Sequence, residues 1–305
     1  MNKIKVIFYV FSAFIILQAC KQKAAPVVAE ETTESGTATF AADESCMPIV
    51  DEEKYVFTQL NPAAKINFIY KPENGVLGLL LNDSVRLAVL ARNLTADEIK
   101  ILNSRNLPPD IHQFAIDAIT LIVNKGSNDT LTSVGEIKKM LNGETKTNVN
   151  IVFDNGNSSL VRYLKEFSGN KDFKLKNVFA LKNNKEVIKY VSSHPDAIGI
   201  TGFSWLNDPD DDYKDAVHNV KIVSVKDETS KTAPNQYFTP SQSTLALKQY
   251  PLIRGLYVIN CTGKRGLGTG FAYFILNEQG QRVILRSGIL PDSIPKREIN
   301  IKHAF

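Results

Sequence analysis

The sequence predicts an α/β protein of two lobes, and three observations predict it. Short apolar runs of strand length alternate with amphipathic helical stretches from residue 37 onward, the pattern of a largely parallel or mixed sheet flanked by helices. The alternation continues for about 270 residues, more than one doubly wound core comfortably buries. The chain is 43% hydrophobic and 22% charged, as in a globular protein with a full-size core. A disordered, collagen-like or coiled-coil chain is thereby excluded.

The first element is an export signal. Residues 1–5 (MNKIK) are cationic, and residues 6–17 (VIFYVFSAFIIL) form an apolar run of signal-peptide length, short of the ~20 residues that a spanning helix needs. The run ends in Leu17-Gln18-Ala19-Cys20, which resembles the bacterial lipobox. The expectation is a signal peptide over 1–19 and an acylated Cys20 as the mature N-terminus. Diacylglycerol and an amide-linked palmitate-type chain would give the multiple anchors that stable membrane attachment requires. No later segment reaches spanning length, so the rest is expected to face the periplasm or exterior. Residues 20–36, rich in Ala, Glu, Thr and Lys, read as a flexible linker. Net charge is +4; loss of Lys3 and Lys5 leaves 34 basic residues against 32 acidic ones. That balance makes nucleic acid a poor partner.

The globular part spans 37–305. A strand at 37–42 (TATFAA) precedes a helix at 46–60 with Ile49, Val56, Phe57 and Leu60 on one face and Pro48 in its tolerated early position. A strand at 66–70 (INFIY), a short buried helix at 75–81 and a strand at 85–91 follow. Thr95 and Glu98 form a capping box for a helix running through Leu102. Residues 114–124 (FAIDAITLIVN) are a long apolar strand, and Ser133 with Glu136 forms a second capping box. A strand at 149–153 leads to a helix opened by Ser158, with Leu160, Tyr163, Leu164 and Phe167 on one face. Extended 178–181, helical 183–192 and strands at 197–203, 220–225 and 256–260 come next. Residues 268–287 read as one terminal helix. The acidic run 207–212 (NDPDDD) reads as a solvated turn, since it lacks the glycine and distal glutamate of a calcium loop.

Catalytic signatures are absent. There is no GxSxG, P-loop or HExxH, and His112, His194, His218 and His303 have no ligand spacing, so neither an enzyme, a metal site nor a cofactor is expected. Gly266, Gly268 and Gly270 do not follow the first strand of a βαβ unit and read as a turn feeding the last helix. Cys46 and Cys261 leave open a disulfide in an oxidising compartment. The helix starts after Asp43-Glu44-Ser45 and at Asn157-Ser158-Ser159 offer backbone N–H groups and hydroxyls, which serve either as plain caps or as an anion site.

An ordered set of motifs turns these readings into a resemblance. Residues 85–96 (VRLAVLARNLTA), 114–124, 133–143 (SVGEIKKMLNG), 152–164 (VFDNGNSSLVRYL), 195–203 (PDAIGITGF), 250–258 (YPLIRGLYV) and 270–291 occur in the order seen in solute-binding proteins of the type 2 periplasmic-binding fold. Within that group the chain resembles PstS-type phosphate-binding lipoproteins of ABC importers, over roughly residues 37–292. The resemblance implies lobe A at 37–116 plus 254–305 and lobe B at 117–253, with hinge strands near Asp117 and Leu252. It further implies a monomer that captures phosphate or a related oxyanion for the membrane subunits of an ABC permease. Arg92 would pair with the anion; Ser45, Asn157, Ser158 and Ser159 would donate; Thr201 would line the far wall. The chain also departs from the family. The first loop carries Asp43 and Glu44, Ala91 precedes Arg92, and Phe153-Asp154-Asn155 stands where the family has an arginine. Arg162 either replaces that arginine or faces solvent. These departures keep a second reading, a sensor or adhesive envelope lipoprotein on the same scaffold.

Overall fold

The computed structural model describes residues 31–145, 149–173 and 175–293. The signal segment, Cys20 and most of the linker lie outside the described residues. In chain order the elements are β1 (Gly36–Asp43), a 3-10 turn (Glu44–Cys46), α1 (Met47–Leu60), β2 (Ala64–Lys71), α2 (Glu73–Leu81), β3 (Leu87–Leu90), α3 (Ala96–Ser104) and β4 (Asp110–Asn124). Then come β5 (Leu131–Ser133), α4 (Val134–Leu141), β6 (Asn150–Phe153), α5 (Ser159–Ser168), β7 (Val178–Ala180), α6 (Asn184–Ser193) and β8 (Ala197–Gly202). The chain closes with α7 (Ser204–Asn207), α8 (Lys214–His218), β9 (Val220–Ile222), β10 (Ser224–Lys226), α9 (Gln242–Ala246), β11 (Ile253–Asn260), α10 (Leu267–Leu276), α11 (Glu278–Arg286) and β12 (Leu290–Pro291).

The main strand order is β2-β1-β3-β11-β4-β8-β6-β7. β4 belongs to both halves of this sheet. Its residues 110–118 pair antiparallel with β11, and residues 119–123 pair antiparallel with β8. On one side β1, β2 and β3 run parallel; on the other β6, β7 and β8 do. Each half is therefore a mixed sheet, and the fold is the two-lobed α/β architecture of the type 2 periplasmic-binding proteins. β4 is buried almost continuously from Phe114 to Val123, which explains its apolar run, interrupted over that stretch only by Asp117 and Thr120. Behind the first half, the rings of Phe40, Phe57, Phe68, Phe271 and Phe274 pack at centroid distances of 5.4–5.9 Å.

Both capping boxes form as the sequence indicates, at Thr95/Glu98 and Ser133/Glu136. The predicted terminal helix is instead two. Asn277 ends α10, and its side chain accepts from the N–H groups of Gln279 and Gly280 to start α11. Gly280 allows the tight joint, since a Cβ there would lie 2.3 Å from the Phe274 carbonyl oxygen. The predicted strand at 220–225 likewise splits: β9 pairs with β4, whereas β10 joins β5 in a separate two-stranded sheet. Cys46 and Cys261 are both free and buried, in separate apolar clusters. Glu31, expected within the linker, accepts the Leu267 N–H at 2.9 Å and so ties its end to the start of α10. The acidic turn holds Lys185, whose Nζ lies 2.8 Å from Asp210 and 2.9 Å from Asp212.

Candidate functional site

The two halves meet where β1 ends, β4 changes partner, β11 begins and α5 starts. At the centre is Arg254, only 5% exposed. It sits opposite Asp117 in the antiparallel register of β11 and β4. Its Nη2 and Nε donate to Asp117 Oδ2 at 2.7 and 3.1 Å. The third nitrogen, Nη1, donates to Ser45 Oγ at 2.9 Å and to Ser159 Oγ at 3.2 Å. These two hydroxyls lie 3.0 Å apart although 114 residues separate them in sequence. One comes from the turn after β1 and the other from the first residue of α5, so one guanidinium joins hydroxyls from both lobes. Gly202 makes room for it, because a Cβ there would lie 2.7 Å from Arg254 Nη2 and 3.2 Å from Asp117 Oδ2. The Trp205 indole N–H adds another link, donating to the Ser45 carbonyl at 3.0 Å.

Carboxylates surround this centre. Asp43 is fully buried; its Oδ1 accepts the Ser45 N–H at 3.0 Å, while Oδ2 has no hydrogen-bond partner among the described residues. Burial pushes the Asp43 pKa up, against the Ser159 hydroxyl and the Arg254 charge. Asp154, at the end of the β6 strand, accepts the Ser158 hydroxyl in a short bond and Asn184 Nδ2 at 3.1 Å. Burial raises its pKa to about 7, opposed by the Ser158 hydroxyl and assisted by the charge of Asp43. Thr201 completes this chain by donating to Asn184 Oδ1 at 2.8 Å.

The structure therefore joins Ser45 and Ser159 directly. It places Ser158 and Thr201 in the adjoining Asp154–Asn184 network. Ser158 is committed to capping, since its Oγ also accepts the Val161 N–H at 3.2 Å. Asn157 is exposed in the preceding turn, where its N–H donates to Asn155 Oδ1, and it does not reach the cluster. Arg92 lies apart as well. Its guanidinium donates to both Glu98 oxygens at 2.7 and 2.9 Å and to Glu73 at 3.2 Å. The cation that meets Ser45 and Ser159 is thus Arg254, which residue typing did not single out. A signal existed: Arg254 and Asp117 are lone opposite charges, each inside an otherwise apolar strand run. Arg162 neither faces solvent alone nor joins Ser159, for it pairs with Glu73.

As chemistry, the cluster offers one buried guanidinium, two hydroxyls and the N-terminus of α5. Among the described residues no group of His, Cys, Asp and Glu is placed to hold a metal. Burial also drives the Cys46 thiol pKa upward, so it is an inert core thiol.

Comparison with known proteins bears on the family and the fold. The model of the PBP superfamily domain matches residues 27–279. Phosphate-binding protein PstS of Borreliella burgdorferi is 24% identical over 261 residues, covering 80% of this chain and 85% of that protein. PstS of Staphylococcus saprophyticus is 23% identical over 248 residues, covering 77% and 74%. Among solved structures, an ABC-type phosphate transport receptor from Vibrio cholerae superposes with a TM-score of 0.62 at 15% identity, covering 84% of this chain and all of that one. A Clostridium perfringens structure with bound phosphate superposes with a TM-score of 0.70 at 17% identity, covering 85% and 100%. With that family model matched over residues 27–279 and both half-sheets formed, the chain belongs to the PBP superfamily.

Proposed function

We propose that this protein captures phosphate outside the cytoplasm and delivers it to an ABC permease, without chemical conversion. The relatives named above as phosphate-binding support the ligand class. The observation that carries the reading within this chain is the unpartnered, buried Asp43 Oδ2 beside the Ser45–Ser159–Arg254 donors. A carboxylate oxygen in that position disfavours a fully deprotonated anion and welcomes one that brings its own proton. Phosphate near neutral pH carries one or two protons; sulfate carries none. An oxyanion entering between the lobes would take over the contact that Ser45 and Ser159 make with each other. Arg254 would then be the charged donor to the anion.

Calorimetry on wild type, Asp43→Asn and Arg254→Lys tests this. Wild type should bind phosphate at least tenfold more tightly than sulfate, a gap of about 1.4 kcal/mol. Asp43→Asn should narrow that gap, because an amide can donate to either anion. Arg254→Lys should weaken both, since an ammonium cannot reproduce the forked contacts. If wild type binds neither anion at millimolar concentration, the transport reading fails and a sensor or adhesive role on this scaffold replaces it.

The lobes would be 37–116 plus 254–305 and 117–253, and the body would be tethered as a monomer through an acylated Cys20. The charged start, apolar core and Leu-Gln-Ala-Cys ending support the tether. Cys20→Ser should release the protein from membranes or leave it as an uncleaved precursor. Recovery of that variant in the membrane fraction at the mature mass would rule the lipid anchor out.

A further inference from the structure

We infer that Glu73 and Arg162 form a closure latch at the lip of the cleft, separate from the ligand-binding groups; the affinity part of the argument rests on the phosphate-binding reading above. Glu73 opens α2 in the first lobe, with a side chain only 2% exposed. Arg162 lies one turn into α5 in the other lobe. Its Nε donates to Glu73 Oε1 at 2.7 Å and its Nη2 to Glu73 Oε2 at 3.2 Å, a forked contact across the cleft. The same Nη2 reaches the Ala91 carbonyl at 3.4 Å. On the first lobe a second cation braces the socket. Arg92 donates to Glu73 at 3.2 Å and is itself clamped by Glu98, whose Oε2 also accepts the Thr95 N–H of the capping box.

Two features make this contact a latch. Each partner keeps a second partner when the lobes part: Glu73 retains Arg92, and Arg162 retains Glu166 at 3.0 Å on its own helix. Opening therefore strands no buried charge, which is the usual large cost of breaking such a pair. The contact can then make and break while biasing the equilibrium toward closure. Arg162 also shares α5 with Ser159, so the helix that meets the central cluster at its first residue carries the plug one turn later. Closure on ligand and seating of the latch are one rigid movement of α5.

The test uses the full-length chain in detergent micelles, with phosphate as the probe and the emission of Trp205, the single tryptophan, as a report on closure. Trp205 suits this role because its indole donates across the lobes to Ser45. Glu73→Gln and Arg162→Ala are each expected to speed phosphate release and weaken affinity about five- to tenfold, with little change in association rate. Arg162→Lys should fall between. The double variant should lose no more than one single variant, because the two residues act on each other. Each variant without phosphate should also shift Trp205 emission to the red. Losses that multiply in the double variant would mean that Arg162 touches the anion itself, and the latch would be wrong. Unchanged emission in ligand-free Glu73→Gln and Arg162→Ala would equally overturn it. The emission arm decides the latch even where wild type fails to bind phosphate, which would sink the phosphate reading alone.

Discussion

At the scale of single residues, Asp154 gives the protein a measurable pH response. It faces Ser158, Asn184, Asp43, Glu44 and Arg254, and burial raises its pKa from 3.8 to about 7. Between those values the native state holds a proton that the unfolded chain has released. Stability supplied by this group is therefore greatest in acid and declines as pH rises through the window, by ~1.4 kcal/mol for each tenfold change in acidity. Asp43 and Glu53, also raised by burial, act in the same direction. Glu98, held low against its own burial by Arg92, acts oppositely, with its stability lost only in stronger acid. Wild type should accordingly melt at a higher temperature near about pH 5 than near about pH 8, and Asp154→Asn should show a flatter profile. Superimposable profiles for the two proteins would show that Asp154 titrates normally.

At the scale of elements, what the sequence made legible was local and periodic. Capping boxes at Thr95 and Ser133 and the apolar run of β4 depend on near neighbours, so residue spacing reveals them. The joint at Asn277 was not legible. Residues 267–286 are helical on both sides, and the break depends on Gly280 packing against the Phe274 carbonyl, a close backbone approach that no periodicity encodes. The same holds for the site. Ser45 and Ser159 were visible as helix-start hydroxyls, whereas Arg254 and Asp117 became a pair only through the β11–β4 register. Arg92 stands apart from that cluster for the converse reason, since Glu73 and Glu98 reach it from two other elements. The α10–α11 joint yields a prediction of its own. Gly280→Ala must push the turn apart and should cost roughly 1–3 kcal/mol, the range for overpacking. The atoms that a Cβ at 280 would meet belong to Phe274 and Ile275 and not to the cluster, so phosphate affinity should be unchanged. A Gly280→Ala protein that melts with wild type would mean that the joint relaxes freely.

At the scale of the whole molecule, two crossings of the chain connect the half-sheets among the described residues. The chain passes between the two half-sheets through β4 at Ala118–Ile119, and again near Leu252, whose carbonyl accepts the Ile119 N–H at 2.8 Å. The first crossing is β4 itself and the second is the bend at residues 250–251 that leads into β11, so a few φ/ψ changes at each can absorb rotation. Polar contacts that span the cleft near the site include Ser45–Ser159, Arg254–Ser159, Trp205 to the Ser45 carbonyl, Arg162–Glu73 and Arg162 to the Ala91 carbonyl. Each is modest, because water replaces much of what opening removes. Opening the cleft therefore costs far less than unfolding either lobe, and a ligand that bridges the lobes can set the balance. X-ray scattering should show a smaller radius of gyration with saturating phosphate than without it, and Trp205 emission should move to the blue in the same titration. The two signals should share one midpoint, since both follow a single rotation. A radius and an emission that stay fixed while calorimetry shows phosphate bound would mean that the lobes are rigid and that the ligand enters by another route.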